Sequence, residues 1–311
     1  MKLSDSISLW IKQKVENAGA KGVVLGLSGG IDSAVVAALA KKAVGIGNVL
    51  CLILPIKSNP QDEVDATLVA KSLGLSINFL NIEPMYNIFP FLDTRQGLAS
   101  SNLKARLRMC TIYYYANYYN YLVLGTGNKS EISIGYFTKY GDGGCDLLPI
   151  GDLTKTRVYK LAKELKIPAK IIKKAPSAGL WEGQTDEGEM GFTYKELDAF
   201  IDNKFGVIKV KTKILKIQHM MMKAYHKKNP IPVCPCGIIH MKGMDRFIPE
   251  LNGRLKFTKT KKFGPGYIQK GGVGYNPVPT GQTPIAAPGD KIRTYGVDRT
   301  VYGKRKAKGN A

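Results

Sequence analysis

The stretch Val23, Val24, Leu25, Gly26, Leu27, followed at once by Ser28, Gly29, Gly30, Ile31, Asp32 and Ser33, constrains the fold more than any other part of the chain. A short aliphatic run, a glycine pair and then Ala34, Val35, Val36, Ala37, Ala38, Leu39 and Ala40 read as a buried strand, a tight turn and a helix. Gly29 and Gly30 lack a Cβ, so the backbone can turn sharply and bring its N–H groups to an anion, at which the helix also points its positive end. Ser28 and Ser33 add hydroxyl donors, and Asp32 adds a carboxylate able to hold a magnesium ion between phosphate oxygens. The stretch lacks the Gly-Lys-Ser/Thr ending of a Walker loop, which excludes that γ-phosphate cradle. A common turn, with Asp32 steadying the first turn of its helix, is the simpler reading of the same residues.

Further strands are expected at Val49 to Leu54, Ile77 to Ile82 and Leu122 to Gly125. Helices are expected at Leu3 to Val15 with Leu3, Ile7, Trp10, Ile11 and Val15 facing the body, at Gln61 to Leu73, from Leu98 to Tyr121, at Thr154 to Leu165, at Tyr194 to Ile201 and from Val207 to Tyr225. Strand and helix alternate at spacings suited to right-handed crossovers. The expected fold class is therefore α/β, a Rossmann-like parallel sheet with helices on both faces. Ligands of such sheets bind beyond the carboxyl ends of the strands, where Ser28 and Thr126 would both lie.

Gly125, Thr126, Gly127, Asn128, Lys129, Ser130 and Glu131 repeat the strand, turn, helix logic, so Thr126 can bond a nucleotide and Glu131 can share a magnesium ion with Asp32. A helix-capping segment with Glu131 in its first turn is the alternative. Gly135 to Pro149 gathers glycines around Lys139, Asp142 and Asp146, as a loop wrapping a ligand would. Gly179 to Gly191 alternates acids and glycines and reads as a mobile flap or a solvated loop.

The Ser28 to Ser33 loop resembles that of the ATP pyrophosphatases of the adenine-nucleotide α-hydrolase type. Together with the 135–149 run, Ala175 to Trp181 and Gln184 to Glu187, it resembles the signature of the ammonia-dependent NAD synthetases, from the first loop to about His226. The resemblance implies an enzyme that amidates deamido-NAD with ammonia and MgATP through an acyl-adenylate. It further implies that Gly26, Leu27, Ser28, Gly29, Gly30, Ile31, Asp32, Ser33, Thr126, Lys155 and Ser177 bind ATP. Asp32 and Glu131 would hold magnesium; Arg106, Lys139, Asp146, His226 and Lys227 would meet deamido-NAD. Asp146 is also the candidate for orienting ammonia or accepting its proton. Arg106, Lys139, Lys155 and Lys227 would offset the repulsion between two pyrophosphate-bearing substrates. The resemblance implies a homodimer, and at this length no fused glutaminase domain is expected, with free ammonia the expected nitrogen donor.

Among the 311 residues, 44% are hydrophobic, enough for a sizeable core. The amino-terminal stretch holds no apolar run long enough for a signal peptide or span, and five cysteines without a framework suit reduced thiols. A cytoplasmic location is expected. The net charge is +22, and residues 251–311 carry 13 Lys or Arg against Asp290 and Asp298. With 16 Gly or Pro among its 61 residues, that segment is expected to be a basic extension, extended or partly disordered, after a catalytic domain at 1–250.

Nucleic acid is a candidate partner of the extension, through its interleaved bases and aromatics. The alternative function is accordingly a transfer-RNA-modifying pyrophosphatase. Cys234, Cys236 and His240 fall short of a zinc set and off its spacing, so a structural turn is expected there. The rings of Tyr113, Tyr114, Tyr115, Tyr118, Tyr119 and Tyr121 go round too many helix faces for a base-stacking platform, and core or subunit packing is expected.

Overall fold

Successive residues of a strand point to opposite faces of its sheet, yet Val23, Val24 and Leu25 are all fully buried, so both faces of this strand are covered. A computed structural model of the chain describes residues 2–89, 97–177, 183–208 and 210–230, with the backbone of 245–249 and 255–259. Its first unit, Met1–Pro232, opens with α1 (Leu3–Asn17), β1 (Gly22–Gly26), α2 (Ile31–Val44), β2 (Val49–Ile53), α3 (Pro60–Leu73) and β3 (Ile77–Phe79). The short α4 (Glu83–Asn87), the long α5 (Leu98–Tyr119), β4 (Tyr121–Val123) and α6 (Lys129–Ile134) follow. After a loop come α7 (Lys155–Glu164), α8 (Ala169–Lys173), α9 (Asp186–Met190), α10 (Tyr194–Ile201), α11 (Lys211–Lys223) and α12 (Tyr225–Lys228).

The sheet is wholly parallel in the order β3-β2-β1-β4, with Val23 opposite Val49 on one side and opposite Leu122 on the other. The chain winds outward from β1 through β2 to β3, then crosses to the far side of β1 for β4. The order thus reverses between β1 and β4, and there the loops at their carboxyl ends diverge and leave a crevice. Both glycine-bearing loops border it.

One face packs Val23, Leu25, Cys51 and Ile53 against α1, α2, α3 and α7; the other packs Val24, Leu52 and Val123 against Tyr86 of α4 and the inner side of α5. In α2 every residue from Ser33 to Ala40 is buried, because its four alanines let the helix lie close to the sheet and to α1 and α7. A third cluster joins Ile134, Met190, Leu197 and Ile217 of α6, α9, α10 and α11.

Two expectations change. In α1 the buried stripe is Ser4, Ser8, Ile11 and Val15, whereas Leu3 and Trp10 are exposed. Ser8 is tolerated because its hydroxyl donates to the Leu39 carbonyl of α2 at 3.2 Å, which leaves no buried donor unpaired. Within the expected flap, α9 is helical, and its Asp186 and Met190 are buried. Of the tyrosines, Tyr113, Tyr115 and Tyr121 pack on the second core, while Tyr114 and Tyr118 face outward.

In the second unit, Val233–Ala311, strands β5 (Asp245–Pro249) and β6 (Leu255–Lys259) pair antiparallel with Phe247 opposite Phe257. Cys234, Cys236 and His240 lie outside the described residues. Among the described residues no helix is long and apolar enough to cross a membrane.

Candidate active site

The loop after β1 holds itself open. Leu27 N–H bonds Leu52 O at 2.8 Å, continuing the β1–β2 pairing by one residue. Ser28 and Ser33 hydroxyls lie 3.1 Å apart, and Ser33 Oγ donates to Gly30 O at 3.0 Å, so both are spent largely on loop shape. Gly29 has φ +76°, and a Cβ there would stand 2.5 Å from Asp62 O. No other residue type fits without moving α3. Gly30 caps α2 without a side chain, so the first N–H groups of the helix face the crevice with the positive end of its dipole behind them.

Asn128 and Glu131 form a capping box on α6: Asn128 Oδ1 accepts Glu131 N–H at 3.0 Å, and Glu131 Oε2 accepts Asn128 N–H at 3.1 Å. Asn128 Nδ2 also donates to Asp32 Oδ1 at 3.1 Å, joining the two loops. Lys155, first residue of α7 and only 2% exposed, reaches Asp32 Oδ2 at 2.6 Å and Glu131 Oε1 at 3.3 Å. Two carboxylates from separate loops therefore share the one ammonium of Lys155.

Burial alone would push Lys155 down, but Asp32 and Glu131 outweigh it and hold the ammonium well above its ordinary value. Burial pushes Glu131 up to about 7, with Lys155 opposing the shift and Asp32 adding to it. The ring of Tyr194 lies 4.8 Å from Lys155 Nζ, and its hydroxyl donates to Asp186 Oδ2 at 2.8 Å, with Glu131 Oε1 at 3.3 Å as a weaker second acceptor. Asp186 is buried and its pKa is raised by that burial; among the described residues its Oδ1 has no hydrogen-bond partner.

A second group surrounds the 135–140 turn. Arg106 Nη2 donates to Lys139 O at 3.4 Å, Lys139 Nζ to His226 O at 2.7 Å, and Lys227 Nζ to Gly135 O at 2.7 Å and Phe137 O at 2.6 Å. The structure thus brings Arg106, Lys139, His226 and Lys227 together. Asp146 bonds to none of them among the described residues: its Oδ1 accepts Tyr113 O–H and its Oδ2 accepts Val123 N–H, both at 2.8 Å. Thr126 is half-buried at the end of the β4 loop, and Ser177 is exposed beside Pro176, whose carbonyl accepts Asp186 N–H at 3.1 Å.

Sequence reasoning missed Asn128, Tyr194 and the buried Asp65. The Asn-x-x-Glu spacing at 128–131 and Thr-x-x-Glu at 193–196 are capping boxes readable in the sequence. Nothing local marks Asp65, whose carboxylate on α3 beneath Gly29 takes Gln61, Lys170 and Lys174 at 2.8 to 2.9 Å.

Comparison with known proteins agrees with this geometry. A family model described as NAD synthase matches residues 3–231. The chain is 54% identical over 204 residues to the NH(3)-dependent NAD(+) synthetase of Finegoldia magna, covering 65% of this chain and 84% of that one. It is 50% identical over 232 residues to that of Carboxydothermus hydrogenoformans, covering 73% and 93%. Among solved structures, it is similar to an NMN synthetase from Francisella tularensis, at 40% identity and TM-score 0.70, over 75% of this chain and 97% of that one. It is also similar to an NH3-dependent NAD synthetase from Campylobacter jejuni, at 34% identity and TM-score 0.63, over 75% and 99%. These relatives favour the amidating reading over the transfer-RNA alternative. With the match spanning both glycine loops and the strands that carry them, the chain belongs to the NAD synthase family.

Proposed function

We propose that this chain converts deamido-NAD to NAD with ammonia and ATP, releasing AMP and pyrophosphate. The observation that carries the reading is the meeting of Asp32, Glu131 and Lys155 at the crevice between β1 and β4. In the first step the nicotinate carboxylate attacks the α-phosphorus of ATP and pyrophosphate leaves. In the second, ammonia attacks the resulting acyl-adenylate, AMP leaves and a proton is lost.

The Gly26–Ser33 loop and the start of α2 receive the phosphates, and Lys155 counters charge that builds on them. Thr126 and Ser177 complete the ATP site. Arg106, Lys139, His226 and Lys227 receive deamido-NAD. Asp146 is the candidate for orienting ammonia, and a D146N chain with unchanged turnover removes that role.

Two carboxylates from different loops suit magnesium, which takes one or two protein carboxylates and leaves its other positions to phosphates and water. Asp32 and Glu131 would hold the ion, which when bound supplies charge neutralisation to the phosphate oxygens. We further propose a homodimer in the cytoplasm. The outward rings of Tyr114 and Tyr118 suit a subunit contact, and Cys51, Cys110 and Cys145 are free thiols.

A mononucleotide acceptor is the second reading, carried by the likeness to the Francisella structure. Purified chain is supplied with ATP, magnesium, ammonium and either deamido-NAD or nicotinate mononucleotide, and the amide product is measured. Amidation of deamido-NAD at the higher kcat/KM is expected. Preference for the mononucleotide moves the assignment to the second reading, and no product from either removes both.

A further inference from the structure

Helix α7 starts without a cap of its own. Thr154 at its N-cap makes no side-chain bond to the helix, yet the N–H groups of Lys155 and Thr156, which have no acceptor within the helix, are both bonded. Ser130 Oγ of α6 accepts Lys155 N–H at 2.9 Å, and Asp198 Oδ2 of α10 accepts Thr156 N–H at 2.7 Å. The Ser130 hydroxyl in turn donates to Asp198 Oδ1. Ser130 is 0% and Asp198 6% exposed, so these bonds meet little competition from water.

One buried carboxylate thereby ties the start of α7 to α6, from within α10. Each of those helices carries a residue of the triad or its support. Glu131 follows Ser130 directly on α6, Lys155 opens α7, and Tyr194 lies one turn before Asp198 on α10. The backbone of Lys155 is held through Ser130, so the root of the buried ammonium is fixed relative to the root of Glu131. Asp198 also places a negative charge at the positive end of a ten-residue helix, which favours the arrangement electrostatically.

An amide could not reproduce it fully. Both oxygens of Asp198 accept, from donors on two different helices, and an Asn side chain would turn an NH2 toward one of those donors.

We propose that Asp198 is a positioning residue for the nucleotide and metal site, setting the spacing of Lys155 and Glu131 through Ser130 and Thr156. The proposal rests on the reading above, in which Lys155 serves ATP and Glu131 serves magnesium. It assigns Asp198 no contact with either substrate. Ammonia use is accordingly unaffected.

The test is steady-state amidation by wild type, D198N, D198A, S130A and K155M, with ATP, magnesium and ammonium varied in turn and thermal midpoints recorded alongside. We expect D198A to raise the KM for ATP and the half-saturating magnesium concentration about tenfold or more, as loss of a residue that orients a metal ligand does, with D198N and S130A affected less and the KM for ammonium within about twofold. Should D198A fail to fold, the same ATP and magnesium shifts in D198N and S130A support the proposal. Lower thermal midpoints with unchanged ATP and magnesium constants overturn it. A K155M chain with wild-type constants removes the reading of Lys155 and the proposal with it, whereas an impaired K155M beside an unimpaired D198A removes the proposal alone.

Discussion

Lys155 Nζ stands 2.6 Å from Asp32 Oδ2, across 123 residues of sequence, and both groups lie largely out of water. A charge pair so placed is costly to break from one side, because the survivor is left desolvated. Lys155→Met leaves two carboxylates facing each other with Asn128 and Tyr194 as their remaining donors. We expect kcat/KM for ATP to fall by about 10²–10³, the scale of losing one preorganised charge donor. Asp32→Asn should cost less in that background than it does alone, since the pair they share is then lost only once. Steady-state kinetics of the two single variants and the double variant check this, and additive losses would refute it.

Gly29 cannot be replaced quietly. Alanine at φ +76° adds backbone strain of about 1–3 kcal/mol and sets its methyl 2.5 Å from Asp62 O. Gly29→Ala should lower the thermal midpoint and raise the KM for ATP together. A variant with both unchanged would show that the loop adopts another conformation.

Asp65 supplies a pH-dependent part of the stability. Burial alone would raise its pKa, but the ammonium groups of Lys170 and Lys174 and the amide of Gln61 outweigh that and hold it below its ordinary value. A carboxyl with a depressed folded pKa stabilises fully above the unfolded value, and that contribution is lost as pH falls through the folded one. Asp65→Asn should therefore cost about 2 kcal/mol at neutral pH, the scale of hydrogen bonds to charged groups. The difference from wild type should shrink below the ordinary Asp range. Thermal midpoints across the acid range measure it, and a difference that grows on acidification would contradict the assignment.

Tyr194 matters for its hydroxyl. Burial and the neighbouring Glu131 and Asp186 carboxylates push the phenol far above its ordinary pKa, so it stays a donor at every working pH. Tyr194→Phe removes the hydroxyl that donates to the buried Asp186 Oδ2, at a cost of about 1–3 kcal/mol. Denaturant unfolding reads the loss, and a midpoint equal to wild type would mean that another donor replaces Tyr194.

The family match ends at residue 231 and the first unit at Pro232. A chain ending at Pro232 is expected to keep kcat/KM for deamido-NAD within about threefold, a change of under 1 kcal/mol in transition-state stabilisation. Loss of activity in a folded truncated chain would make the basic extension part of the working enzyme.

Much of this was legible in the sequence because it is local. The run Val23 to Leu27 makes a strand whose faces are both buried, the alanines after it make a buried helix, and Gly29 marks the left-handed turn between them. Gly74 closes α3 in the left-handed conformation at φ +65°, where the sequence reading ends that helix. The motifs around residues 28–33, 135–149, 175–181 and 184–187 pointed to the family without reference to any contact.

What the sequence could not supply is which residues meet. The order β3-β2-β1-β4 sets the loop of Asp32 beside the loop of Glu131, and that adjacency depends on where the chain crosses the sheet, not on any periodicity along it. Ser8 on the buried side of α1, Asp65 beneath Gly29 and Asp198 between three helices are all polar residues that local pattern reads as solvated. Their partners lie 31 residues or more away for Ser8 and Leu39, 109 for Asp65 and Lys174, and 68 for Asp198 and Ser130. Burial of a charge is tolerable only when a distant group satisfies it, and only the tertiary structure decides which distant group that is.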